Sequence, residues 1–234
     1  MISERELRII AGFYPDPVGR TIKELEKASR YSYERVNTAL KSLVDKGIAR
    51  SKRVGNVLTY DLQIGRYEAL LGFMFAATER TDGFKRRHNN IFEEISRFAN
   101  RFECDCAVIF GSYSKGSETK NSDIDLLLIG EQPELDREAR SLERYILKDV
   151  NALVVPKKGF WEIRRDNPVF FDELVKYGIV LKGYETYYEM VYRWELWSKK
   201  ISVGIYEGNL SKGGPSCQRS PRFIWRRPGR TWSR

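Results

Sequence analysis

Histidine occurs once in these 234 residues and cysteine three times. Cys104, Cys106 and Cys217 are too few and too irregularly spaced for a zinc cluster or a disulfide framework, so a reducing, cytoplasmic setting is expected. The single histidine, His88, follows Lys85-Arg86-Arg87 with no second ligand type at a useful spacing. It is expected to be a solvated helix residue, not a metal ligand or a general base. No apolar run approaches the roughly eighteen residues of a membrane span, and charged residues begin at Glu4 where a leader would be apolar. A soluble chain with no membrane partner follows. Acidic residues are outnumbered by basic ones, 32 against 41, for a formal net charge of +9, which suggests an anionic partner such as nucleic acid. Six of those nine charges come from residues 205–234, where one Lys and six Arg face Glu207 alone. What the chain does have is 41% hydrophobic residues and enough length for two modest domains.

The first 64 residues alternate short amphipathic segments with turn signals. Leu7, Ile9, Ile10 and Phe13 form a helical stripe stopped by Pro15 and Pro17. Thr21 and Glu24 make a capping box for a second helix that buries Ile22, Leu25 and Ala28. Ser32 caps a third, in which Val36, Leu40, Leu43 and Val44 recur at helical spacing until Lys46-Gly47. Two strand-like runs, residues 48–51 and 58–62, then flank the tip Arg53-Val54-Gly55-Asn56.

That order resembles the winged helix-turn-helix domain of transcription regulators. The resemblance implies that the third helix enters the major groove of double-stranded DNA while the wing touches the backbone. Tyr33, Arg35, Asn37, Thr38 and Lys41 would lie on the outward face, with Lys52 and Arg53 on the wing. Arg35 and Asn37 suit base edges and the lysines suit phosphates, although Glu34 on the same face favours a protein-contact role. Such domains often dimerise, and a homodimer is the associated expectation.

Residues 65–83 read as a linking helix that ends in a hinge at Thr81-Asp82-Gly83. A further helix, residues 84–102, leads into the second domain, residues 84–204. There the chain runs Cys106-Ala107-Val108-Ile109-Phe110-Gly111-Ser112, passes Lys115-Gly116, and continues Ser122-Asp123-Ile124-Asp125-Leu126-Leu127-Leu128-Ile129. An apolar strand breaks at Gly-Ser, and a second strand carries two carboxylates two residues apart. Because side chains alternate across a strand, Asp123 and Asp125 share one face while Ile124 and Leu126 enter a core. Paired carboxylates on a rigid strand suit Mg²⁺, and Gly111 with Ser112 offers backbone and hydroxyl to a phosphate. A P-loop is excluded, since Ser117 and Glu118 stand where Lys and Ser/Thr would be needed.

Gly-Ser, ten residues, then Asp-x-Asp resembles the signature of the DNA polymerase β-like nucleotidyltransferases, in particular the minimal members of archaea and bacteria. The resemblance implies an α/β (α+β) domain with a small mixed sheet flanked by helices. Asp123 and Asp125 would be catalytic and hold Mg²⁺, Gly111 and Ser112 would bind a nucleoside triphosphate such as ATP, and Lys115 would add a phosphate contact. A third carboxylate is expected on the strand 150–155, where this chain has Asn151, an amide that cannot accept a proton. Asp149, on the same strand face, is the alternative base, although it reads more simply as a solvated acid. Residues 160–183, rich in Phe and Tyr, resemble the ending of archaeal winged-helix nucleotidyltransferases, with a closing helix and a last short strand. An aromatic helix over residues 184–200 is expected in the core or at a dimer contact, and residues 205–234 read as a basic, disordered tail.

The function these resemblances imply is transfer of a nucleotidyl group to a protein or RNA acceptor by a chain that also binds DNA. Two alternatives are a transcription regulator whose second domain only senses nucleotide, and an antitoxin-like protein that adenylylates a partner toxin.

Overall fold

The computed structural model describes residues 1–131 and 133–192. Its first two helices, α1 (Glu4–Ala11) and α2 (Ile22–Ser29), both start with a capping box. Ser3 and Glu6 close the first, Thr21 and Glu24 the second, satisfying orphan N–H donors at each end. A two-residue strand, β1 (Arg20–Thr21), precedes α2. Helix α3 (Tyr33–Asp45) begins after Ser32, whose side chain makes no capping bond, in contrast to the expected cap. The hairpin β2 (Ala49–Val54) and β3 (Val57–Leu62) follows, and β1 pairs with the other edge of β3 to give the order β1-β3-β2.

Glu6 fastens α1 to α3. Its carboxylate is almost wholly buried and accepts from Lys46 Nζ at 2.6 Å, Ser42 Oγ at 2.8 Å and Ser3 N at 2.7 Å. Burial opposes ionisation here, but Lys46, Ser3 and Ser42 outweigh it and hold the carboxyl down at about 2.

Helix α4 (Tyr67–Arg87) runs unbroken through the expected hinge. Thr81 and Phe84 are buried three residues apart, and Thr81 Oγ1 donates to the Val180 carbonyl at 2.8 Å, so the helix is held across Asp82-Gly83. A lone glycine costs a helix only about 1 kcal/mol, too little to break one anchored on both sides. The break falls at His88, after which α5 (Asn89–Arg101) begins. At Gly72, α4 lies so close to α1 that an added Cβ would meet Ile10 Cγ2 at 2.2 Å.

The remaining elements are β4 (Cys106–Phe110), α6 (Gly111–Lys115), β5 (Ile124–Ile129), α7 (Pro133–Ala139), α8 (Leu142–Ile146), β6 (Val150–Val155), α9 (Lys157–Asp166), α10 (Pro168–Tyr177), β7 (Ile179–Lys182) and α11 (Tyr184–Tyr192). The charged run Leu135 to Leu147 reads in the sequence as one helix, with Asp136-Arg137-Glu138-Ala139-Arg140 on its wet face, but the structure has two, α7 and α8. The chain turns between them through i, i+3 bonds at Ser141 and Arg144. The strands form a mixed sheet in the order β6-β5-β4-β7, with β5 and β6 parallel and the other pairs antiparallel. Together the helices and small sheets give the mixed α/β class expected from the sequence.

Both faces of this sheet are covered, which is why β5 is apolar at five of its six positions. Ala107, Ile109, Leu126 and Leu128 meet Phe84, Ile91, Ile95 and Phe98 of α4 and α5 on one face. Val108, Leu127 and Val155 meet Phe160, Leu174, Tyr187 and Tyr188 on the other. Cys104 and Cys106 are both buried, yet in different clusters, because Cys104 precedes the strand and does not follow its alternation. The second cluster is continuous with Ile9, Leu25, Leu40 and Phe73, so residues 1–64 and the sheet share one core. The described residues accordingly group as one compact unit. Trp194, Trp197 and the basic residues 205–234 lie outside the described residues. No helix among the described residues is long and apolar enough to cross a membrane.

Because the folded Glu6 carboxyl is depressed from 4.5 to about 2, its contribution is complete above the unfolded value and is lost as pH falls through that window. Glu6→Gln is expected to cost about 2–3 kcal/mol in urea unfolding at pH 7, with the deficit shrinking between pH 4.5 and pH 2. A deficit independent of pH would show that the carboxylate charge is not what fastens α1 to α3.

Candidate functional site

Three residues lie side by side across the sheet at every second position. Cys106, Ile129 and Val155 form one such row, and Val108, Leu127 and Leu153 the next. The third row, at the end of the same face, is Phe110, Asp125 and Asn151. The first two rows are covered by helices, whereas in the third Asp125 is half-buried and Asn151 exposed. A polar row at the open end of an apolar ladder is where a ligand can reach the strands without disturbing the core.

Asp123 stands immediately before β5, two residues from Asp125, and is exposed. Asn151 Nδ2 donates to Asp123 Oδ2 at 3.3 Å and to Asp125 Oδ1 at 3.5 Å, bridging the two carboxylates from β6. Thr119 N donates to Ser122 Oγ at 2.8 Å and Ser122 N to the Thr119 carbonyl at 3.1 Å, a tight turn that delivers Asp123 to the strand. Asp149 lies alongside, its carbonyl accepting from Ile124 N at 2.9 Å. Its carboxylate does not complete a cluster, since no three His, Cys, Asp or Glu residues among those described converge as metal ligands. Two carboxylates and a neutral amide, open to solvent, fit one hard divalent cation whose other positions go to water or phosphate.

Gly111 closes the site from below. Its φ is +68°, and a Cβ built on it would fall 2.0 Å from Asp125 Oδ2. The Asp125 carboxylate therefore occupies the space that a side chain at residue 111 would need. Ser112 follows in the first turn of α6, half-buried, while Ser114 Oγ returns a bond to the Gly111 carbonyl at 2.9 Å. Phe110 meets Phe170 of α10 with ring centroids 5.2 Å apart, so α10 forms the side of the site. Lys115 is engaged by that helix as well, its ammonium 2.8 Å from Glu173 Oε1 and over the Tyr177 ring.

His88 is not solvated. It sits at the α4–α5 junction with Nε2 at 3.0 Å from Glu118 Oε1 and its ring against Phe84 and Tyr113. Glu118 belongs to the loop between α6 and β5, so this contact sets the signature loop against the α4–α5 junction, without a hydrogen bond to His88 Nε2. The sequence carries no sign of it, because the partners are thirty positions apart and each looks like an ordinary surface residue. Phe170 and Glu173 carry no local sign of their place beside the row for the same reason.

On α3, Tyr33, Glu34, Arg35, Thr38 and Lys41 are exposed and Asn37 is half-exposed, opposite the buried Val36, Ala39, Leu40 and Leu43. The Arg35 guanidinium lies over the Tyr31 ring at 5.9 Å. On the hairpin Arg53 is exposed, and Lys52 pairs with Asp61 at 2.8 Å.

Gly111 and Gly116 share a φ of +68°, but only the first has a neighbour in the way. Both glycine-to-alanine changes should cost about 1–2 kcal/mol of stability from the left-handed backbone alone. Gly111→Ala should in addition abolish nucleotide binding measured by calorimetry, whereas Gly116→Ala should bind as the parent does. Equal binding by all three proteins would show that the Gly111–Asp125 approach does not shape the site.

A family model described as polymerase beta, nucleotidyltransferase, matches residues 93–186. No curated protein and no solved structure matches the chain. The matched region runs from α5 into α11 and takes in all four strands, the Gly111 turn, both aspartates and Asn151. The residues that carry the polar row, 93–186, are thus similar to the nucleotidyltransferase domain of the polymerase β type.

Proposed function

We propose that the chain binds a nucleoside triphosphate with Mg²⁺ at the Phe110–Asp125–Asn151 row and transfers its nucleotidyl group to an acceptor, while residues 1–64 act as a winged helix on double-stranded DNA. The observation that carries the reading is the approach of Gly111 to Asp125. It leaves backbone, and no side chain, beside a paired carboxylate at the open end of the sheet. Asp123 and Asp125 would hold the Mg²⁺, which when bound supplies charge neutralisation for the phosphates. Gly111 and Ser112 would seat the triphosphate by backbone and hydroxyl, and Phe110 with Phe170 would wall the site on its α10 side. The acceptor would attack the α-phosphorus in line and pyrophosphate would leave, a reaction governed mostly by positioning.

A second reading, a DNA-binding regulator that senses nucleotide without turnover, is favoured by two observations. Asn151 has no proton-accepting chemistry, and the two halves of the chain are packed together around α4 and α10. Tyr14, which follows α1, donates its hydroxyl to the Val175 carbonyl of α10 and accepts from Arg80 Nη1 of α4 at 2.8 Å. Tyr192 of α11 donates to the Pro15 carbonyl at 2.8 Å. Helix α10 thus touches both the site, through Phe170 and Glu173, and the segment that follows α1.

Asp123→Ala and Asp125→Ala are expected to lower Mg²⁺-dependent ATP affinity by at least tenfold, while circular dichroism and urea midpoint stay near those of the parent. Unchanged affinity in the double variant would overturn the nucleotide assignment. For the DNA reading, Lys41→Ala should weaken duplex binding across sequences and reduce the log–log salt slope by about 1. Arg35→Ala should cost about 1–3 kcal/mol on the preferred site and relax its specificity. Binding that is indifferent to both changes would assign the α3 face to a protein partner.

A further inference from the structure

Among the described residues four strands have an open side: β1 and β2 in the small sheet, β6 and β7 in the larger one. Edge strands are commonly kept from pairing with other chains by shortness, charge or irregularity. β1 is two residues long, β2 carries Arg50, Lys52 and Arg53, and β7 ends on Lys182 and pairs with β4 through a register shift. β6 alone, Val-Asn-Ala-Leu-Val-Val, has no charged residue, and Ala152, Leu153 and Val154 in it are only half-buried. We propose that the open edge of β6 pairs, antiparallel and about a two-fold axis, with β6 of a second copy of this chain.

The ladder on the closed side fixes which backbone groups are free. Ile124 N donates to the Asp149 carbonyl at 2.9 Å and Gly130 N to the Val155 carbonyl at 3.1 Å, at the two ends of the β5–β6 pairing. Backbone direction alternates along a strand, so residues 149, 151, 153 and 155 turn their N–H and C=O groups to β5. Val150, Ala152 and Val154 turn theirs to the open side. There the Val150 N–H is taken by Glu143 Oε1 at 3.2 Å, and the strand stops at Pro156, which has no N–H. Between these two stops, the outward N–H and C=O groups of Ala152 and Val154 meet no hydrogen-bond partner among the described residues.

This edge is complementary to itself. With Ala152 opposite the partner's Val154, each such pair exchanges two N–H···O=C bonds, and the two-fold axis repeats the pair. Four bonds then use every free group of both copies. Val150, whose N–H is already taken, falls opposite the partner's Pro156, which has none to give. A slide of two residues would instead set the Val154 carbonyl against that occupied N–H and leave it without a donor. A strand from an unrelated protein has no need to match both stops, whereas a second β6 matches both by symmetry. Charge agrees with the same register. Asp149, exposed and in no ion pair among the described residues, falls beside the partner's Lys157 and Lys158, while Lys148 reaches back over its own chain to the Lys120 carbonyl and the Tyr113 ring.

Pairing joins two four-stranded sheets into one and sets the partner's Val155 beside Asn151, so the row Phe110–Asp125–Asn151 continues into the second copy. Both polar rows lie on one face, with the Asn151 Cα atoms about 14 Å apart by strand geometry. That consequence for the nucleotide site rests on the transfer reading above, whereas the pairing itself does not.

The test uses the full chain without nucleotide. Sedimentation equilibrium is expected to show a reversible dimer. Hydrogen exchange at Ala152 and Val154 should slow as protein concentration rises, while the Asn151 and Leu153 amides, bonded to β5, stay protected throughout. Ala152→Pro removes one outward N–H per copy, two of the four bonds, without touching the β5 ladder, and should raise the dissociation constant about thirtyfold. Leu153 faces its own copy across the axis in a non-hydrogen-bonded pair, with Cα atoms about 4.5 Å apart, a separation that a disulfide can span. Oxidised Leu153→Cys in a Cys217→Ser background should therefore run as a covalent dimer, and Asn151→Cys in the same background should not.

A monomer at every concentration, with fast exchange at Ala152 and Val154, would overturn the proposal. A dimer that tolerates Ala152→Pro and gives no Leu153→Cys cross-link would overturn it by placing the interface elsewhere. Protection of the two amides in a monomer would overturn it by assigning the edge to another segment of the same chain. Unchanged ATP affinity in the Asp123→Ala, Asp125→Ala double variant would remove only the consequence for the nucleotide site and leave the pairing standing.

Discussion

The carboxylate of Asp125 and the backbone of residue 111 claim adjoining space, and the rest of the site is arranged around that constraint. A Cβ at position 111 would lie 2.0 Å from Asp125 Oδ2, well inside van der Waals contact, and φ there is +68°, so the turn from β4 into α6 favours glycine. The turn can be this tight because β4 and β5 are antiparallel neighbours with Phe110 paired to Asp125. Pairing of β6 with β5 in parallel then brings Asn151 into the same row. Strand pairing thus sets the register on which the Gly111 turn, the carboxylate pair and the bridging amide all depend.

The register also explains why a polar site survives beside a large apolar core. Side chains of one face recur every second residue, so the ladder from Cys106–Ile129–Val155 through Val108–Leu127–Leu153 reaches the polar row without changing face. Helices cover the first two rows and, in the third, only Phe110, which meets Phe170 of α10. Burial of the apolar rows anchors the strands, and the polar row takes its rigidity from them. Rigid strands suit a site whose chemistry is dominated by positioning.

The two halves of the chain are joined more closely than a linker and hinge would allow. Helix α4 packs on α1 through Gly72 and on β7 through Thr81, so one helix serves both cores. Tyr14, Phe73, Tyr188 and Tyr192 form a ring cluster at the junction, with centroids 4.5–6.4 Å apart. A nucleotide that shifted α10 would therefore act on packed side chains shared with the segment after α1, since close-packed interiors transmit displacement.

Local signals made much of this legible beforehand. Thr21 and Glu24 announced a helix start, and the apolar runs around Gly111 and Asp125 announced two buried strands. The spacing of Gly-Ser to Asp-x-Asp marked the candidate site, and the family resemblance it carries is what made Asn151 stand out. These features are set by neighbours in the chain, through capping, alternation and turn chemistry, and can be read from it. Distant partners decided what could not be read. Asp82-Gly83 looks like a hinge until Thr81 finds the Val180 carbonyl, and His88 looks solvated until Glu118 and Tyr113 close over it. Lys115 looks free until α10 brings Glu173 to it. In each case the sequence determined the residue types and their local geometry, whereas burial and pairing came only when segments far apart in the chain packed against one another.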